Sequence, residues 1–130
     1  MADDFERHVR EITRRDTRYA RNAYDFLAEA LAYTINKLER ADKEDEERHV
    51  SGQELLEGIR ELAARQFGPL APMVFDEWGI RSSEDFGEMV FNLVTSGIWH
   101  KTDRDSMDDF RGGFDIRAAF EGEFDVRIGD

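Results

Sequence analysis

The chain has 130 residues, of which 40% are hydrophobic and 37% charged, so it fits one folded domain and is too apolar for a fully disordered chain. The absence of cysteine excludes disulfides and thiolate metal sites. The net charge of −12 arises in residues 41–130, because residues 1–40 hold eight acids and eight bases that cancel. This acidic part is predicted to repel phosphate backbones.

The first 41 residues are predicted to form an N-terminal helical arm. A weak apolar stripe starts at Phe5, and a break is expected at 16–17. A stronger helical pattern covers Tyr19–Arg40 and predicts the longest helix of the chain. Its wide apolar side predicts a symmetric dimer through this helix. The charge-rich residues 42–50 then read as an acidic linker.

Local signals delimit the next helix. Ser51 and Glu54 have the spacing of a capping box, in which hydroxyl and carboxylate each bind a free backbone N–H. Gly68, followed by Pro69, is predicted to end the helix in a left-handed cap. Gly58, in the middle, favours close packing of another helix.

Two further helices are predicted after Gly68. A short helix starting at Pro72 is expected to turn Met73 inward and to end at Gly79. Ser82 or Ser83 is expected to cap the following helix, whose acidic first turn suits the helix dipole. Gly97 is predicted to end it.

A β-hairpin is predicted at the C-terminal side, with strands over 98–101 and 110–114 joined by an acidic turn. Residues 114–120 fit either a helical turn capped by Asp115 or a strand, and 124–128 fit a short edge strand.

The fold class that follows is α+β and mostly helical. A winged-helix-like core of three helices plus a C-terminal β-hairpin occupies residues 51–130 and is preceded by the helical arm. The alternative is a generic helical bundle with an appended hairpin.

Winged helices commonly bind DNA with the third helix and the wing. Here residues 82–97 contain no lysine or arginine, so direct DNA reading by this face is disfavoured. Two aromatic residues, Phe91 and Trp99, are instead candidate exposed anchors for a protein partner, the alternative being that they fill the core.

An arginine stripe is the one basic patch in the pattern. Spacings of three and four place most of its members on one helix face, and they are Arg7, Arg10, Arg14, Arg18 and Arg21. Three interpretations stay open: a solvated, salt-bridged helix, docking on an acidic surface of this or a neighbouring subunit, and contact with nucleic acid.

No catalytic, cofactor or metal site is predicted. The three histidines, His8, His49 and His100, are far apart in sequence, and no phosphate loop or nucleophile motif occurs. The acidic turn that starts at Asp103 departs from a calcium loop at its sixth and twelfth positions. A small hydrolase or metal-dependent enzyme is therefore only a third hypothesis.

Four strings in this sequence resemble a small bacterial family that is associated with planctomycetes and verrucomicrobia. They are residues 49–60 (HVSGQELLEGIR), 66–69 (QFGP), 78–80 (WGI) and 85–88 (DFGE). The likeness runs from about Tyr19 to Phe120. It implies a cytoplasmic bacterial protein of about this length and supplies no activity or functional residues.

The sequence thus predicts a cytoplasmic, non-enzymatic protein–protein interaction or assembly module without a cofactor. No apolar run approaches the ~20 residues of a membrane span, and the acidic N-terminus does not resemble a signal peptide. The expected partner is another protein or a second copy. The alternative function is a nucleic-acid-associated regulator that binds through the arginine stripe.

Overall fold

The computed structural model describes residues 2–40, 43, 50–99 and 107–120, and these residues are mostly helical. The helices are α1 (Ala2–Arg15), α2 (Arg21–Lys37), α3 (Gly52–Phe67), α4 (Ala71–Glu77), α5 (Ser83–Thr95) and α6 (Ile116–Ala119). Short 3-10 helices at Gly68–Leu70 and Met107–Phe110 precede α4 and α6. As predicted, α2 is the longest of these helices, with 17 residues.

The prediction of an α+β fold with a winged-helix-like core is wrong, because the described residues contain no strand and show no C-terminal hairpin. Ile98 and Trp99 close the end of α5, and Met107–Phe110 is a 3-10 helix. Residues 114–120 take the helical alternative, since the Asp115 side chain accepts a hydrogen bond from the Ala118 N–H and caps α6. The predicted edge strand at 124–128 lies outside the described residues.

The end of α5 explains why a strand was predicted there. Gly97 has a φ of 89°, its N–H donates to the Val94 carbonyl, and the Ile98 N–H donates to the Leu93 carbonyl. This pair of bonds is the Schellman motif, which places an apolar residue directly after the glycine. Ile98 is therefore part of a helix end.

The end of α4 is built in the same way, with Gly79 at a φ of 90°. Its N–H donates to the Asp76 carbonyl, and that of Ile80 donates to the Phe75 carbonyl. Gly68 differs from its prediction: its φ of 57° is combined with a ψ of −134°, so it is not a left-handed α cap. The chain there runs directly into a 3-10 helix.

The N-terminal arm packs on its own core. Val9 and Ile12 of α1 are 2% and 1% exposed and belong to the same apolar cluster as the residues of α2, α3 and α5. Tyr24, Phe26 and Leu27 of α2 are buried in the core, whereas Leu31, Ile35 and Leu38 nearer its C-terminal end are only partly buried. The dimer through α2 stays a prediction.

Helices α2 and α3 form the most extensive helix pair, and Gly58 lies at their contact. A Cβ at this position would collide with the Thr34 hydroxyl, which is buried and donates to the Ala30 carbonyl. The close approach expected from the mid-helix glycine is confirmed. The capping box is confirmed as well: the Ser51 hydroxyl accepts from the Glu54 N–H, and the Glu54 carboxylate from the Ser51 N–H.

The C-terminal segment is anchored by Phe110, which lies against Gly52 at the start of α3 and Gly87 in α5. The buried Ser83 hydroxyl donates to the Phe110 carbonyl and accepts from the Gly113 N–H. These contacts hold the 3-10 helix at Met107–Phe110 beside α5 and so fix one border of the outer side of α5.

Candidate interaction surfaces

Helix α5 has a solvent-facing side that carries one large aromatic residue. Its inner side buries Phe86, Met89 and Leu93, which are all 0% exposed. Phe91 points the other way and is 57% exposed. Aromatic side chains contribute strongly when a partner covers them, so an exposed Phe on an ordered helix is a candidate anchor.

The α5 outer face is defined here as Glu84, Glu88, Phe91 and Thr95, which follow one another at spacings of four, three and four. Such spacings place them on one side of a helix, and Glu84 and Phe91 are about 10 Å apart along its axis. The neighbouring 3-10 helix carries Asp109, whose Cβ lies against Gly52 of α3. Residues 82–97 contain three acids and no lysine or arginine. The aromatic anchor therefore lies beside two glutamates, Glu84 and Glu88, on its own helix face.

The loop between α1 and α2 forms the other border of this face. The Tyr19 hydroxyl donates to Asp85 at 2.5 Å, and the Arg18 guanidinium lies 3.4 Å from Glu88. Asn92 donates to both Asp16 and the Tyr24 hydroxyl, at 3.0 Å each. Burial, with the Asp85 hydrogen bond, raises the pKa of Tyr19. These contacts hold the loop against α5.

Asp85 also binds backbone N–H groups at the start of α5, where Ser82 is the N-cap residue. One carboxylate oxygen accepts from the backbone N–H groups of Arg81 and Ser82, and the other accepts from Tyr19. Sequence reasoning placed Asp85 in the first turn for its charge but missed its contact with Tyr19. Because that contact joins residues 66 apart in sequence, no local pattern indicates it.

The arginine stripe lies on exposed positions, with Arg7, Arg10 and Arg14 on the side of α1 opposite its buried residues. Arg7 pairs with Asp4 at 3.0 Å and Arg14 with Glu11 at 3.8 Å. Carboxylates at these positions reduce the positive potential of the stripe.

The other two arginines of the stripe lie outside α1. Arg18 lies in the following loop and binds Asp16 through two guanidinium nitrogens and its backbone N–H. Arg21 is the first residue of α2. The structure thus divides the five arginines among a helix face, a loop and a second helix, and brings one of them, Arg18, to the α5 outer face through Glu88.

Trp99, the second predicted anchor, is half-buried and packs against the core.

Met73, which was expected to turn inward, is 68% exposed, because Phe75 takes the core position of α4. Met73 lies on the rim of a shallow groove between α4, the start of α5 and the C-terminal segment. Other residues of this groove are Ile80, Glu84, Phe114, Asp115 and Arg117. Glu84 belongs to both surfaces, so the groove adjoins the α5 outer face.

Among the side chains that can be described, no group of three or more His, Asp or Glu residues gathers as a metal site. His8 is part of α1, and its Nδ1 lies 2.7 Å from the Asp4 carbonyl oxygen. His49, His100 and the acidic turn at 103–106 lie outside the described residues. No helix within the described ranges is long and apolar enough to cross a bilayer.

Comparison of this chain with family models, with curated proteins and with solved structures gives no match. The resemblance to the bacterial family therefore stays a prediction, and any functional conclusion depends on the geometry of the surfaces described above.

Proposed function

We propose that this protein is a non-enzymatic interaction module that binds another protein through the α5 outer face. The observation that carries the proposal is the 57% exposure of Phe91 on an otherwise well-packed helix. The helix carrying this surface is bonded at both ends, by the Schellman bonds at Gly97 and the cap at Ser82, and at its side by the Tyr19–Asp85 contact. A rigid surface binds with a smaller entropy loss than one that must first become ordered.

The arginine stripe gives the alternative, binding of nucleic acid, less support. Arg7, Arg14 and Arg18 each lie within 4 Å of a carboxylate, which reduces the charge that they present to phosphate. Counterion release on binding scales with the number of phosphates that a protein neutralises. Since each of these three arginines has an acidic neighbour, the interaction module is the function that we propose.

The test is a selection of peptides from a random displayed library on the immobilised chain, followed by measurement of Kd for wild type and variants. Phe91→Ser is expected to weaken binding about thirtyfold, which corresponds to the ~2 kcal/mol of an aromatic anchor. Leu70→Ser is the matched control, because Leu70 is 58% exposed but lies outside the α5 outer face. Equal binding to wild type and Phe91→Ser, or no enrichment at all, would contradict the proposal.

A further inference from the structure

The charges around Phe91 restrict the chemistry of the partner. Glu84 and Glu88 lie on the same side of α5 as Phe91. Charges across an interface are generally complementary, because like charges brought together oppose binding. A partner segment that covers Phe91 must therefore offer apolar contact at its centre and positive charge beside it.

We infer that the α5 outer face binds a lysine- or arginine-rich amphipathic segment of a partner protein. This inference depends on the function proposed above and adds the class of partner. The long-range field favours the same chemistry, since the net charge of −12 attracts cationic partners and repels nucleic acid. A cation placed over the exposed Phe91 ring would add a cation–π contact.

One basic group already lies at the border of this face. The Arg18 guanidinium contacts Glu88 at 3.4 Å, but it is drawn mainly toward Asp16, with a shorter separation of 2.6 Å. Glu84 lies one helical turn before Glu88 on the same side of α5, and Arg81 and Arg117 line the groove that adjoins it. A cationic segment that covers Phe91 would lie beside both glutamates.

The experiment uses three synthetic peptides of 18 residues with the same apolar stripe and with lysine, glutamine or glutamate at the polar positions. Kd for the full chain is measured by fluorescence anisotropy at several salt concentrations. We expect the lysine peptide to bind at least about tenfold more tightly than the glutamine peptide, and the difference to shrink as salt rises.

Two double variants distinguish an effect of charge on the α5 outer face from an effect of the net charge of the protein. Glu84→Lys with Thr95→Lys changes the face, whereas Glu77→Lys with Asn36→Lys makes the same change in net charge on exposed positions of α4 and α2. The first pair is expected to abolish the preference for the lysine peptide, and the second to retain most of it. Unfolding curves of both variants show whether the fold is intact.

The outcomes distinguish this inference from the proposed function. If the glutamine peptide binds as tightly as the lysine peptide and Phe91→Ser weakens both, the face is an interaction surface but its partner is not cationic. If both variant pairs reduce binding of the lysine peptide equally, the attraction is nonspecific and the inference is wrong. If no peptide depends on Phe91, the proposed function itself is wrong.

Discussion

Gly58 is a residue whose role cannot be judged from its own helix. In isolation, glycine within a helix costs about 1 kcal/mol relative to alanine, so Gly58→Ala would be expected to stabilise the protein. Here the added Cβ collides with the Thr34 hydroxyl, which is held by its bond to the Ala30 carbonyl. The contact between α2 and α3 therefore decides the sign.

We expect Gly58→Ala to lower the free energy of unfolding by about 1–2 kcal/mol, because overpacking exceeds the gain in helix propensity. Urea unfolding measures the change. Thr34→Ala removes the colliding hydroxyl and provides the control, so the loss should be smaller in that background. A Gly58→Ala protein that is more stable than wild type would show that the two helices separate easily.

The carboxyl group of Asp16, in the loop between α1 and α2, makes the stability of the protein depend on pH. Hydrogen bonds from Arg18, with a further bond from Asn92, hold the pKa of the Asp16 carboxyl well below its ordinary value of 3.8. A pKa lowered by folding stabilises the protein fully above the unfolded value and loses this contribution as the pH falls through the folded one. Stability should therefore fall below about pH 4.

Asp16→Asn is expected to cost about 1 kcal/mol at pH 7, because charged hydrogen bonds are lost, and to flatten the decline of stability below pH 4. Thermal unfolding at a series of pH values measures both effects. Glu11→Gln serves as the control, since its exposed pair with Arg14 at 3.8 Å should contribute little. An unchanged acid response in Asp16→Asn would contradict this assignment.

At the scale of elements, the helix ends show what local sequence signals can predict. Ser51 with Glu54 was recognised because both partners of a capping box lie within one turn. Gly79 and Gly97 were recognised because few residues other than glycine adopt a positive φ. The strand at Ile98 was predicted wrongly because a Schellman motif and a strand both favour an apolar residue at that position.

The end of α2 carries the same motif with a glutamate in place of glycine. Glu39 has a φ of 58°, its N–H donates to the Asn36 carbonyl, and the Arg40 N–H donates to the Ile35 carbonyl. A left-handed conformation costs a residue with a Cβ about 1–2 kcal/mol. The sequence predicted helix as far as Arg40 because no glycine marks this end.

Glu39→Gly is expected to raise the free energy of unfolding by about 0.5–1 kcal/mol, since relief of the left-handed strain exceeds the extra chain entropy of glycine. Glu39→Ala keeps the strain and should give no such gain. Chemical unfolding of the three proteins under one buffer condition measures the difference. If alanine stabilised as much as glycine, the effect would come from the lost charge.

For the whole molecule, charge and burial together lead to the functional proposal. The sequence left two alternatives for Phe91, an exposed anchor or a core residue, and the structure shows it exposed on a helix that has no basic residue. Sequence alone did not place α1 on the core, because Val9 and Ile12 form a stripe too short to indicate which surface covers it. Nor did the sequence predict that Met73 is exposed: Met73 and Phe75 lie about 200° apart around the helix, so burial of Phe75 turns Met73 to solvent.

The most informative single experiment is an NMR titration of the 15N-labelled chain with the lysine peptide. The proposal predicts that the largest chemical-shift changes fall on Glu84, Glu88, Phe91 and Thr95, while α2 and the arginines of α1 change little. Shift changes centred on α1 would favour the arginine stripe, and changes centred on Met73 would favour the groove. Either pattern would contradict binding through the α5 outer face.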